Sequence, residues 1–317
     1  MKPEQKVLTI AQRRILWLLV LSAWLNFIDR GTLSVAAPAL KADLGLRPVQ
    51  LGYLLSAFFW TYAGCQVITG WLVDRFEVAR LYAVGFLAWS AAVLLTGFAG
   101  ALAWLFAMQL LLGMGESTAY PAYSRILSRD FPEHRRGLAN ALIDAAGKTG
   151  PGVATFFGAL IITAFGWRAM FIGLGAVSLL WIPFWVRWAP REQSRDAALT
   201  SGPGMGVILK CGTPWAPFTG LFCFNYAYFF LMTWLPSYLV IERHFSMHMM
   251  AVFGGLPFIV CGGHRWQRGG SPMPGLQTAP RPTVRGRRLR YRACLSVLLP
   301  YPLWLWHLTL WQWYCSR

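Results

Sequence analysis

The chain has 317 residues, of which 56% are hydrophobic, 15% aromatic and only 13% charged. Soluble domains carry roughly a quarter charged residues, so this composition argues against a water-soluble globule and for a chain built for lipid. The formal net charge of +17 is uneven: nine arginines and no acid follow residue 260, while the first 260 residues hold 20 basic and 12 acidic side chains.

A membrane-spanning helix takes about 20 mostly apolar residues. Such stretches run at 15–40, 49–72, 79–99, 101–125, 138–164, 169–188 and 214–240, and an eighth begins near Met247 and reaches Val260. The apolar run from Ile15 is too long for a cleavable signal and has no small-residue cleavage site, so the first span is expected to be retained. The expectation is an all-α, polytopic membrane protein. Residues 1–14 form an N-terminal segment, 15–188 a six-helix bundle, 189–213 a polar linker, and 214–260 the seventh helix and the start of the eighth.

Orientation follows from the basic residues. Fourteen lie on one side, among them Lys2, Lys6, Arg13, Arg14, Arg125, Arg129, Arg135 and Arg136; four lie on the other, Lys41, Arg47, Arg168 and Arg243. The N-terminus and the linker are therefore expected on the cytoplasmic side of a bacterial inner membrane.

After Val260 the composition changes. The eighth helix is expected to stop in mid-span at Gly262-Gly263-His264-Arg265, and 261–317 reads as an aberrant tail, disordered or out of frame, or else as an authentic divergent terminus. Its arginine cluster at 285–292 lacks the interleaved aromatics or fold signature of a nucleic-acid site, so no nucleic-acid partner is expected. Six scattered cysteines (Cys65, Cys211, Cys223, Cys261, Cys294, Cys315) show no CxxC spacing, and neither a disulfide framework nor a metal site is expected. The five histidines are dispersed and no nucleophile–base pair is evident, so neither an enzyme nor a cofactor is expected.

Chemistry is concentrated in the ionisable residues that fall inside spans. Each costs about 2.5–3.5 kcal/mol on an insertion scale, so Asp29, Arg30, Glu116, Asp144 and Lys148 must face a polar cavity or one another. Asp29 and Arg30 lie about 21 Å from the cytoplasmic end of the first span at 1.5 Å per residue, near the midplane. Arg30 keeps its charge and suits a carboxylate; it holds either a solute anion or an internal partner. Glu116 shares a helix face with Gln109 and Gly113 at i, i+4, i+7 spacing. It is either a hydrogen-bonded packing residue or a carboxylate that loads and releases a proton. Asp29 is either a second proton site or one half of an ion pair. Gly113 and Gly115 would let neighbouring helices come close. Asp144 and Lys148, at i, i+4, suit mutual neutralisation. Asn225, Tyr226 and Trp234 on the seventh span are further candidates for the cavity wall.

Gly70-Trp71-Leu72-Val73-Asp74-Arg75-Phe76-Glu77-Val78-Ala79-Arg80, directly after the second span, resembles the signature cytoplasmic loop of the major facilitator superfamily. In that family the Asp caps a facing helix and joins a charge network that closes the cytoplasmic side. The resemblance makes Gly70, Asp74, Arg75 and Arg80 a cytoplasmic gate motif, with Glu77 replacing a usual Gly. Phe27-Ile28-Asp29-Arg30, Gly113-Met114-Gly115-Glu116, Pro121, Phe131-Pro132-Glu133, Arg135-Arg136-Gly137, Gly166-Trp167-Arg168 and Thr233-Trp234-Leu235-Pro236 together resemble the anion:cation symporters within it.

This resemblance covers about residues 10–260. It implies the N-terminal six-helix half of a major facilitator fold plus one to two further helices, and proton-coupled transport of sugar acids or related carboxylates by alternating access. It assigns Arg30 to the substrate carboxylate and Asp29 and Glu116 to the proton. Gln109 stands where sugar-acid carriers usually have a second Arg; Lys148 is then the candidate for the missing charge, and a less highly charged or differently shaped anion is expected. The expected partners are a small organic anion, a proton and the bilayer, with the oligomeric state open. Twelve spans with loops need roughly 400 residues or more. On that count the chain is expected to be a truncated carrier that transports poorly or not at all.

Overall fold

The computed structural model describes residues 8–190 and 215–269. Its helices are α1 (Ile10–Leu44), α2 (Pro48–Arg75), α3 (Val78–Thr96), α4 (Leu102–Glu116), α5 (Ala119–Asp130), α6 (Glu133–Leu179), α7 (Trp181–Trp188), α8 (Trp215–Ser237) and α9 (Met247–Gly269). A single π-helical turn, Tyr238–Glu242, follows α8. Among the described residues there is no strand. Ile10–Leu44, Pro48–Arg75, Val78–Thr96 and Glu133–Trp188 are long and apolar enough to cross a membrane.

The helices follow the expected spans with two local differences. The fourth breaks at Ser117–Thr118, between α4 and α5. Pro121 explains the break, because its ring excludes the helical carbonyl four residues earlier. That carbonyl, on Ser117, accepts instead from Thr69 Oγ1 at 3.0 Å. The fifth and sixth passes are joined without a loop. Gly166, at φ 81° and ψ 165°, turns the chain inside α6, in a region of backbone space that is essentially glycine's alone. Gly158 and Met170 then come into contact, although a straight helix would hold them about 18 Å apart. The chain therefore reverses at Gly166.

A third difference concerns the eighth span. Its apolar part ends at Val260 as expected, but the α9 backbone remains helical to Gly269. The glycines and polar residues after Val260 do not stop it, since no proline intervenes before Pro272 to remove a helical hydrogen bond. The linker and the rest of the 261–317 tail lie outside the described residues.

α1 is apolar on nearly every side and, as expected for such a helix, sits in the interior, against α6 and α8. α4 packs between α2 and α3. Glycine makes the two close approaches possible. A Cβ on Gly113 would collide with Thr61 and the Phe58 carbonyl of α2, and one on Gly115 would lie 2.8 Å from the Gly85 carbonyl and the Trp89 nitrogen of α3. Glu116 is thereby held at the junction of three helices.

The two ends of the bundle are closed differently. At one end Gln12 Nε2 donates to the Asp130 carbonyl at 2.7 Å, Arg136 donates to the carbonyls of Ser128 and Phe131, and Trp185 Nε1 donates to Ala79. At the other, Asp43 Oδ2 accepts from Arg168 Nη1 at 2.7 Å and Trp167 Nε1 at 3.2 Å. Arg168 also donates to the Ala99 carbonyl. The Gly166-Trp167-Arg168 motif thus makes a turn and then clasps the end of α1 to the α3–α4 connection.

Candidate functional site

Asp29 and Arg30 lie midway along α1 and are both buried. Arg30 Nε donates to Glu116 Oε2 at 2.6 Å, and both side chains are almost wholly excluded from the surface. Of the two readings of Arg30, the internal partner is present in this state, and it is Glu116 rather than Asp29. Four rings surround the guanidinium: Tyr62 at 4.3 Å, Phe27 at 4.8 Å, Phe58 at 5.1 Å and Phe229 at 6.0 Å. Aromatic faces attract a cation where water is excluded, so the rings stabilise a charge that one carboxylate alone would hold poorly.

The polar groups are not fully satisfied. Arg30 Nη2, Glu116 Oε1, Asn26 Nδ2 and both carboxylate oxygens of Asp29 are buried without a hydrogen-bond partner among the described residues. Trp89, whose indole N–H is also unpartnered, stands beside Asp29. Buried polar atoms are nearly always paired, and several of the exceptions lie where α1 meets α3 and α4. Asp29 forms no ion pair among the described residues.

A cavity opens beside Arg30. Gln109 of α4, Ser34 of α1 and Thr233 of α8 line it together with Leu and Phe side chains and Met232. Gln109 is where the helix-face spacing put it. Lys148 is not in that lining; its Nζ lies 4.0 Å from the Tyr228 ring and 4.8 Å from the Phe224 ring. Asn225 is half-buried and also outside the lining.

Tyr226, a further candidate for the cavity wall, is also outside that lining. It is 69% exposed, because the inward face of α8 carries Phe229, Met232 and Thr233, whereas Phe222, Tyr226, Phe230 and Trp234 follow one another at four-residue steps along an outer stripe. Asp74, Arg75 and Arg80 of the gate motif are exposed. Asp74 has no hydrogen bond or ion pair among the described residues. Arg75 covers the Trp71 ring at 4.3 Å, and Arg80 pairs with Glu77 at 2.5 Å. The acid that replaces the motif's usual Gly captures the neighbouring Arg, and Gly70 faces open space.

Sequence reasoning missed Asn26, Phe27, Phe58, Tyr62, Trp89 and Phe229. A signal existed for two of them, since Asn26 and Phe27 precede Arg30 by four and three residues and so share its face. For the rings of α2 and α8 there was none, because both helices are crowded with aromatics.

The Major Facilitator Superfamily profile matches residues 19–315. A probable sulfoacetate transporter of Cupriavidus necator is 33% identical over 275 residues, covering 81% of this chain and 63% of that one. A probable galactarate/D-glucarate transporter of Escherichia coli K12 is 28% identical, covering 78% and 63%. The chain thus spans about three-fifths of the length of these relatives. Among solved structures, a bacterial homologue of the human lysosomal transporter Spinster, inward-facing and unoccupied, superposes with a TM-score of 0.69 at 19% identity, over 81% of this chain and 61% of that one. With buried charged groups gathered between the middle of α1 and the end of α4, a glycine-packed α4 and a family match along most of its length, this multi-pass membrane protein belongs to the Major Facilitator Superfamily.

Proposed function

We propose that the chain forms the anion-binding wall of a proton-coupled organic-anion transporter, with its N-terminus on the cytoplasmic side of a bacterial inner membrane. The observation that carries this reading is the state of Arg30: one edge of its guanidinium holds Glu116 at 2.6 Å, while Nη2, buried and unpartnered, belongs to a side chain that lines the cavity. A guanidinium presents several N–H groups in a fixed fork, so a solute carboxylate or sulfonate and Glu116 draw on the same cation. When Glu116 takes up a proton it ceases to compete as an anion, and the solute gains the full charge of Arg30. Asp29, near Glu116, serves as the second proton-carrying group. The names of the relatives, which refer to sulfoacetate and to galactarate and glucarate, support the anionic class of the solute. The excess of arginines and lysines at the end that carries Arg13, Arg14, Arg75 and Arg136 supports the orientation.

The test is equilibrium binding of labelled organic acids to the purified chain, followed by uptake into proteoliposomes under a pH gradient. Arg30→Gln is expected to abolish binding while Arg30→Lys retains part of it. Glu116→Gln is expected to bind more tightly than wild type at neutral pH and to show a flat pH profile. Anion binding that survives Arg30→Gln, or a pH profile unchanged by Glu116→Gln, would refute the assignment.

A further inference from the structure

We infer that Thr69 is a positioning residue for Glu116: its hydroxyl fixes the turn that carries the carboxylate, and so sets how readily Glu116 lets go of Arg30; this rests on the anion-carrier reading above. Thr69 belongs to α2, is buried, and stands outside the cavity lining. Pro121 has no N–H, so the Ser117 carbonyl loses the donor that a continuous helix would supply. In an interior shielded from water an unpaired carbonyl is costly, and Thr69 Oγ1 fills the place at 3.0 Å. The neighbouring carbonyls of the same turn are served locally. Met114 accepts from Ser117 Oγ at 2.7 Å, and Gly115 accepts from Thr118 Oγ1 at 2.8 Å. Of these three hydroxyl bonds, the one from Thr69 ties the turn to another helix, and Glu116 is joined to Ser117 by its own peptide.

A second tie supports the first. Thr61, earlier on α2, donates to the Leu110 carbonyl of α4 at 2.8 Å. From Thr61 to Thr69 a helix rises about 12 Å, and from Leu110 to Ser117 about 10.5 Å. The two threonines therefore bracket the end of α4 and hold it in register with α2. The same stretch of α2 carries Phe58 and Tyr62, whose rings lie 5.1 Å and 4.3 Å from the Arg30 guanidinium. One helix thus places both halves of the pair, the cation through its rings and the carboxylate through its hydroxyls. Around Glu116 stand Arg30 and Asp29 of α1, Tyr82 of α3 and Tyr123 of α5, and Tyr62 of α2 acts through Arg30. Thr69 carries no charge, so it shifts this balance only by where it holds the carboxylate. Its single hydrogen also lies within reach of its own Gln66 carbonyl, at 3.1 Å, so the tie to Ser117 opens without stranding a donor.

The experiment uses a donor series at residue 69 of the full chain in lipid nanodiscs. Thr69→Ser keeps the hydroxyl, Thr69→Cys leaves a weak donor and Thr69→Val leaves none. Infrared difference spectra follow the carboxylic-acid stretch of Glu116, identified by its loss in Glu116→Gln, as the pH is changed. Binding of labelled sulfoacetate and glucarate is measured alongside. Thr69→Val is expected to move the titration midpoint about tenfold in proton concentration, Thr69→Cys by less, and Thr69→Ser hardly at all. A loosened Glu116 competes less for Arg30, so Thr69→Val is also expected to bind anion more tightly at neutral pH. A midpoint unmoved in Thr69→Val, or moved as far in Thr69→Ser, would overturn the inference, as would binding weakened by one factor at every pH. Where Thr69→Val does not fold, Thr69→Cys against Thr69→Ser decides by the same criteria. A midpoint that follows the donor series, in a wild-type chain that binds neither anion, would keep Thr69 as the residue that places Glu116 and overturn the carrier reading alone. Absence of the Glu116 band at every pH would overturn both.

Discussion

Two arginine–carboxylate pairs in this protein have almost the same length and opposite surroundings. Arg168 meets Asp43 at 2.7 Å with both side chains nearly half exposed, and each has further partners in Trp167 Nε1 and the Ala99 carbonyl. Arg30 meets Glu116 at 2.6 Å with both buried, yet each keeps an atom without a partner. The outer pair is satisfied and solvated; the inner pair is enclosed and incomplete. A satisfied surface pair serves as a clasp. An incomplete buried one is poorly justified by stability, because desolvation offsets much of the attraction, and its retention fits a site that must let go of one partner to take another.

The sharpest way to break this comparison is to remove one member of each pair. Arg30→Met leaves Glu116 buried without its cation, and losing one partner of a buried pair costs about 3–5 kcal/mol. Replacing both, as Arg30→Met with Glu116→Leu, is expected to recover most of that loss or exceed it, because well-packed apolar residues often match a buried pair. Thermal melts in detergent measure this directly. The double variant should be stable and fail to bind any anion. If it instead remains as unstable as the single variant, the inner pair is a structural clasp after all.

A smaller effect tests how the site is positioned. The Gly113→Ala methyl would press on Thr61 and the Phe58 carbonyl, and overpacking of this kind costs roughly 1–3 kcal/mol. Because Phe58 is one of the rings around Arg30, the same variant is expected to weaken anion binding, although residue 113 touches no solute. Unaltered binding in a destabilised protein would show that α2 adjusts without moving the ring.

The comparison also shows what a single sequence discloses. Hydropathy placed the passes because a bilayer demands long apolar runs whatever their neighbours, and the cost of buried charge singled out Asp29, Arg30 and Glu116. Gly113 and Gly115 were legible for the same reason, since small residues in a span announce a close neighbour. Pairing was not legible. Asp29 and Arg30 are adjacent in sequence and face different neighbours, Trp89 on one side and Glu116 on the other, which only the packing of α1 between its neighbours decides. Tyr226 lies on an exposed stripe of α8, a helix aromatic on several faces, so spacing alone did not say which stripe turned inward. The fourth-pass break at Ser117–Thr118 lay within reach of Pro121, and the turn at Gly166 fell in the gap between the expected spans 138–164 and 169–188; that no loop separates the two helices was not legible.

The smallest expected effect is the most specific for the difference between the pairs. Asp43→Asn keeps the shape of the outer carboxylate and a carbonyl oxygen for Trp167 Nε1 and Arg168, but removes the charge. Exposed pairs contribute little, and whatever they contribute fades with ionic strength, since salt screens solvent-exposed charges within about 10 Å at 0.1 M and more steeply above that. Melting curves of Asp43→Asn and wild type should therefore lie close together at low salt and converge at high salt. Curves for Glu116→Gln and wild type should stay apart at every salt concentration, because a pair shut away from solvent is screened far less. Were the Glu116→Gln difference also to vanish with salt, water and ions would have to reach the middle of α1. The inner pair would then be as solvated as the outer one, and the unpartnered atoms around Arg30 would mark a wet channel instead of a dry site awaiting its anion.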